Sequence, residues 1–309
     1  MLLRCLLSLA LLAVVSVADA ACERGSLPPG TAQAPQRILF VGNSFLHGHA
    51  PPVLHYNAAN VTDLNGSGYG GVPGVFKQLA DDAGLHVEVA SELVSGQTLQ
   101  FHLNDKLGLI SSRAWDVVVL QEYSVLDPQR PGDATAFIAA AGKLQAAVHG
   151  AHPKARVYLM ETWARADQVY RTPGGRWDGK TLEAMQADLR AAYAQAAARA
   201  SCIAGVLSVG SAALRAVQEG VADRNPYDGI DAGKSNLWGE DSYHFSAWGS
   251  YLEALVLFGQ LSGRDPAGLG AAHRTGRELG LSAQQIQAAQ AVASRQLKPR
   301  ASPASPTRP

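Results

Sequence analysis

The sequence predicts an α/β fold: a three-layer α/β/α sandwich with a central, mainly parallel sheet. Three observations predict it. Short runs of near-continuous Val, Ile and Leu recur, as in strands covered on both faces. Helical stretches alternate with those runs. No internal repeat breaks the alternation. A chain of 309 residues can bury a sizeable core.

Residues 1–20 read as a signal peptide. Arg4 is the positive start, residues 5–17 are the apolar run, and Ala18-Asp19-Ala20 is a small-x-small cleavage site. The run is too short to span a bilayer comfortably, and no second long one follows. The expectation is export, secreted or periplasmic, with no stable membrane insertion after cleavage. Acylation of Cys22 would call for an aliphatic residue where Asp19 stands. The Ala- and Arg-rich style of the chain looks bacterial, which makes the sequons at Asn60 and Asn65 incidental.

Residues 21–36 form a Gly- and Pro-rich lead-in, and 37–297 the α/β domain. Residues 37–41 (RILFV) are the first buried strand, ending at Gly42. Residues 48–71 carry many Gly, Asn, His and Pro and read as a long loop. A helix is expected over 72–83 and an alternating strand over 86–93. Further strands fall at 116–120 (DVVVL), 156–160 and 203–209, with helices at 135–149 and 182–200. A Gly/Arg/Trp loop fills 164–179. Helices over 246–261 and 282–297 complete the domain. The Pro- and Ser-rich stretch 298–309 reads as a disordered tail.

Zero net charge leaves no basic footprint for nucleic acid or an anionic membrane. No C-x-x-C or H-E-x-x-H is present, so a structural or catalytic zinc site has no support in the sequence. Signal cleavage would leave Cys22 and Cys202, which either pair in an oxidising compartment or stand as unrelated thiols.

Two motifs carry chemistry. Gly42-Asn43-Ser44-Phe45 directly follows the first strand. Active sites in such sheets lie at the carboxyl ends of strands. A hydroxyl there is exposed beside the free N–H groups of a helix start, which suit a forming oxyanion. The plain reading is a serine that caps a helix. Asp241-Ser242-Tyr243-His244 stands just before the helix at 246. Serine needs an adjacent base, and histidine serves near neutral pH. An acid three residues earlier can fix the imidazole tautomer. The plain reading is a surface turn.

Together, and in this order, the motifs resemble the SGNH hydrolase (GDSL-like esterase/lipase) superfamily over residues 37–262. GNSF stands where the family commonly has G-D-S-L, and DSYH matches its last block. The resemblance implies a flavodoxin-like fold and a cofactor-free serine esterase. Ser44 would be the nucleophile, with Asp241 and His244 completing the triad. The family's two middle blocks supply further oxyanion donors. Val94-Ser95-Gly96-Gln97-Thr98 fits the first, so Gly96 N–H joins Ser44 N–H. The second is usually G-x-N-D, but here Gln121-Glu122-Tyr123-Ser124 follows the strand. Gln121 offers the same carboxamide as the missing asparagine, and Tyr123 is its rival. The chain is thus expected to be a divergent member.

Glu161 and Trp163 also follow a strand and are expected, with Tyr123, to contact substrate. A sugar would stack on Trp163 or Trp177; the alternative for each tryptophan is a simple packing role. His47, His49 and His55 read as a polar loop lining the cleft, with a metal site as the alternative. The implied activity is hydrolysis of a small-molecule or glycan ester, with a carbohydrate O-acetyl ester preferred. The alternatives are acyl transfer onto envelope glycans and a non-catalytic glycan-binding protein of the same fold.

Overall fold

A computed structural model of the chain describes residues 30–298. The expected signal peptide, Cys22 and nearly all of the expected tail lie outside the described residues. Cys202 is disulfide-bonded.

Six strands build one sheet: β1 (Gln36–Gly42), β2 (Val61–Asp63), β3 (Val87–Leu93), β4 (Val117–Gln121), β5 (Arg156–Met160) and β6 (Ile203–Leu207). Their order is β2-β3-β1-β4-β5-β6, and every neighbouring pair is parallel. The apolar runs take these places because both faces of the sheet are covered. Ile38 through Val41 and Val117 through Leu120 are wholly inaccessible to solvent. In register, Ile38 faces Val89 on one side and Val117 on the other.

Helices Gly71–Asp82, Val209–Gln218, Ala247–Ser262 and Ala283–Leu297 pack together on one face. Leu99–Asp105, Thr135–Ala151 and Leu182–Arg199 cover the other. The expected three-layer sandwich is the observed one. No described helix is long and apolar enough to cross a membrane.

The differences are local. The expected loop 48–71 contains the three-residue edge strand β2 and a short helix, Pro51–Leu54. The expected loop 164–179 contains a short helix, Ala166–Tyr170. The expected strand 203–209 stops at Leu207, and Val209 begins a helix. Helix Leu99–Asp105 was not expected, although Thr98 caps it by accepting from Phe101 N–H.

This topology places the site. From β1 the chain runs to β2 and β3 on one side, then crosses to β4 on the other. The connections after β1 and β4 therefore diverge at the carboxyl ends of these two strands, the place where open α/β sheets carry their sites. Gly42-Asn43-Ser44 leaves β1 at that point, and Gln121-Glu122 ends β4 beside it.

Candidate active site

The Ser44 turn is shaped by β4. Asn43 N–H donates to Gln121 Oε1 at 2.9 Å, and Gln121 Nε2 donates to Asn43 Oδ1 at 3.1 Å and to the Glu122 carbonyl. A Cβ on residue 42 would fall 2.4 Å from Gln121 Oε1, so this approach requires glycine. Asn43 then caps the short helix Ser44–His47, its Oδ1 accepting from Phe45 N–H at 3.1 Å. Ser44 is left as the first residue of that turn, half-buried.

Asp241 and His244 come from a tight turn. Trp238 and Phe245 form an antiparallel bridge, and Gly239 N–H donates to the His244 carbonyl at 2.8 Å. Ser242 takes the left-handed conformation with φ 55°. The turn lets Asp241 Oδ1 accept from the N–H groups of Tyr243 and His244, both at 2.9 Å. Asp241 Oδ2 is 2.6 Å from His244 Nδ1, and His244 Nε2 is 2.8 Å from Ser44 Oγ. One continuous hydrogen-bonded chain thus joins Asp241, His244 and Ser44.

The electrostatics suit a neutral base. Burial acts to raise the Asp241 pKa, but the hydrogen bonds from the His244 side chain and the two backbone N–H groups outweigh it, and the carboxyl stays below its ordinary value. Burial lowers the His244 pKa, with help from the His49 and Arg165 charges. Asp241 opposes this without cancelling it, so the imidazole lies below its ordinary 6.5.

The Ser44 and Gly96 N–H groups have no partner among the described residues. Gly96 sits at φ 75° on an exposed turn. That turn is tied to the Ser44 turn by Val94 N–H to the Gly42 carbonyl and by Asn43 Nδ2 to the Gln97 carbonyl, both at 2.9 Å.

Three expected roles need correction. Gln121 is wholly buried, and both hydrogens of its carboxamide are engaged by Asn43 and Glu122. The extra methylene folds it back onto the Ser44 turn, so it holds that turn and is not free to donate to an oxyanion. Glu161 is 2 % exposed and accepts from Gln186 Nε2 and Ser211 Oγ. Trp163 is 1 % exposed, stacked between Phe45 and Phe245, with Nε1 donating to the Tyr243 carbonyl. Glu161 and Trp163 therefore face the interior and not a substrate. Trp177 is likewise buried. Tyr123 is half-buried near Tyr243.

Arg165 had no counterpart in the sequence reading. It lies 3.6 Å over the Tyr243 ring, and its guanidinium binds Asp167 and Ser124 Oγ. The Tyr243 ring in turn lies 4.0 Å from His244. His49, expected in a polar loop lining the cleft, stacks on the His244 ring. Among the described residues, His49, Asp241 and His244 are the group whose ligand atoms could hold a metal, all lying within 4.8 Å of one another. The two imidazole planes are 14° from parallel, so one ion would lie in both only after His49 rotates.

No family model matches the sequence, and no curated protein matches it either. Solved structures do match. A protein from Parabacteroides merdae, provisionally named a GDSL-like lipase, aligns at 16 % identity and TM-score 0.52, over 77 % of this chain and 99 % of its own. One from Slackia heliotrinireducens, provisionally named an SGNH hydrolase, is 25 % identical over 73 % and 98 %, with TM-score 0.47. A psychrotrophic esterase from Pseudoalteromonas is 14 % identical over 74 % and 97 %, with TM-score 0.48. The chain therefore has the SGNH (GDSL-like) hydrolase fold, at low sequence identity to the proteins that share it.

Proposed function

We propose that this protein is an exported serine esterase that cleaves carboxylic esters through Ser44, His244 and Asp241. The reading rests on the unbroken hydrogen-bonded chain from Asp241 Oδ2 through His244 to Ser44 Oγ. The fold it shares with a GDSL-like lipase supports it. His244, neutral at neutral pH, takes the Ser44 proton as Oγ attacks the ester carbonyl. Asp241 holds the imidazole tautomer and balances the imidazolium charge. The Ser44 and Gly96 N–H groups stabilise the tetrahedral oxyanion. His244 then protonates the leaving alcohol. Water, deprotonated by the same imidazole, attacks the acyl-enzyme, and collapse of the second tetrahedral intermediate releases the acid and regenerates Ser44.

The substrate class is a small acyl ester. A sugar O-acetyl ester stays within it, but without the tryptophan platform, since Trp163 and Trp177 are buried. The half-buried Tyr123 and Tyr243 are the rings left to meet a substrate.

Purified protein incubated with p-nitrophenyl acetate and a fluorophosphonate tests this. Wild type is expected to turn over the ester and to be labelled at Ser44, and Ser44→Ala to do neither. A folded wild type unlabelled at Ser44 would sink the proposal. Turnover that increases with an added sugar acceptor would redirect it toward acyl transfer.

A further inference from the structure

Residues on both sides of Gly96 are held by residues on both sides of Ser44. Gln97, just after Gly96, accepts from Asn43 Nδ2 at 2.9 Å. Ser95, just before it, has its Oγ 3.0 Å from His47 Nδ1, and His47 closes the helical turn that Ser44 begins. Gly96 itself is exposed, with nothing within 4 Å of where a Cβ would be. Its neighbours Ser95 and Gln97 restrain it.

His47 is built for such a contact. It is 6 % exposed, its ring lies edge-on to Tyr69 with centroids 4.9 Å apart, and it interacts with the Leu93 backbone at the end of β3. We propose that His47 is a positioning residue that fixes the Gly96 N–H relative to Ser44 through its hydrogen bond to Ser95. Burial lowers its pKa to about 4, against an opposing attraction from Asp63. The ring is therefore neutral at neutral pH and adds no charge against the imidazolium that forms at His244. An oxyanion donor works only within a narrow distance of about 2.7–3.1 Å, and a misplacement of about 1 Å costs on the order of 100-fold.

The kinetic consequence rests on the esterase reading; the positioning does not. The test uses His47→Phe, His47→Asn, Ser95→Ala and the double variant His47→Phe/Ser95→Ala in the full protein. His47→Phe is expected to lower kcat for p-nitrophenyl acetate by about 10- to 100-fold with KM little changed. His47→Asn, whose carboxamide reaches the Nδ1 position, should recover most of it. Ser95→Ala should match His47→Phe, and the double variant should be no worse than either. Nitrogen-15 relaxation, which needs no substrate, should show the Gly96 amide losing order in His47→Phe and Ser95→Ala. Unchanged kcat in both, additive losses, or an equally ordered Gly96 would overturn the inference. A wild type inert toward esters would remove the esterase reading alone, and Gly96 order would still decide the role of His47.

Discussion

The His49 ring lies over the His244 ring, with centroids 4.6 Å apart and planes 14° from parallel, and its Nε2 is 4.0 Å from Asp241 Oδ2. A base must be neutral to act, so kcat/KM rises with pH through the His244 pKa, which lies below the ordinary 6.5. A protonated His49 disfavours a second positive charge beside it. Removing it relieves that repulsion and raises the His244 pKa. His49→Gln is therefore expected to move the acid limb of the kcat/KM profile to higher pH. A limb that stays in place or moves to lower pH would show that the imidazoles are not coupled.

Trp163 links the segments that carry Ser44 and His244. Its ring stacks 3.9 Å from Phe45, which follows Ser44, and 3.5 Å from Phe245, which follows His244. Trp163→Ala would leave a cavity between them and cost about 3–5 kcal/mol of stability. Trp163→Phe should cost less and keep more activity. Urea unfolding and p-nitrophenyl acetate kinetics on both variants check this. An alanine variant as stable and active as wild type would dismiss the link.

Glu122 costs the fold stability as pH rises toward about 8. Burial pushes its pKa up to about 8, despite hydrogen bonds from Tyr123 N–H and Leu99 N–H. The folded-state pKa lies above the unfolded one, so the folded chain keeps a proton that the unfolded chain releases. The resulting penalty is absent below about pH 4, grows from there to about pH 8, and is constant above. Glu122→Gln keeps an acceptor but cannot ionise. Its Tm is expected to gain on the wild type between about pH 5 and 9, with the gap levelling off beyond. Parallel Tm-versus-pH curves would refute this.

Glu253 is wholly buried in helix Ala247–Ser262, and neither carboxyl oxygen has a hydrogen-bond partner among the described residues. Burial raises its pKa well above the ordinary carboxylate value, so it is held as the neutral acid. A buried polar group without a partner costs about 1–3 kcal/mol. Glu253→Met, close in volume, is expected to raise stability by about that amount in urea melts at neutral pH. A destabilised variant would point to a partner for this carboxyl.

The parts legible in the sequence are those set by local patterns. The buried runs gave β1, β4 and β5 because their burial needs only a continuous apolar face on each side. Asp241 and His244 meet across three residues, so D-x-x-H carries their geometry by itself. The roles that were misread depend on distant partners. Glu161 turns inward because Gln186 and Ser211, 25 and 50 residues away, accept it into the interior. Gln121 folds back because Asn43, 78 residues earlier, needs both its carbonyl and its amide. Strand β2 has three residues, too few for any periodicity. The helix Leu99–Asp105 had a readable signal in Thr98, which caps it.

The hydrogen bond between Ser44 and His244 spans 200 positions of the chain. On a ribosome adding about 5–20 residues per second, the serine is made roughly 10–40 s before the histidine that would activate it. A nascent chain carries Ser44 through that interval without His244. On the esterase reading, ester cleavage can begin only once His244 has been made and its turn has docked beside Ser44. A product terminated before residue 244 would lack the proposed base, however well its first strands assembled.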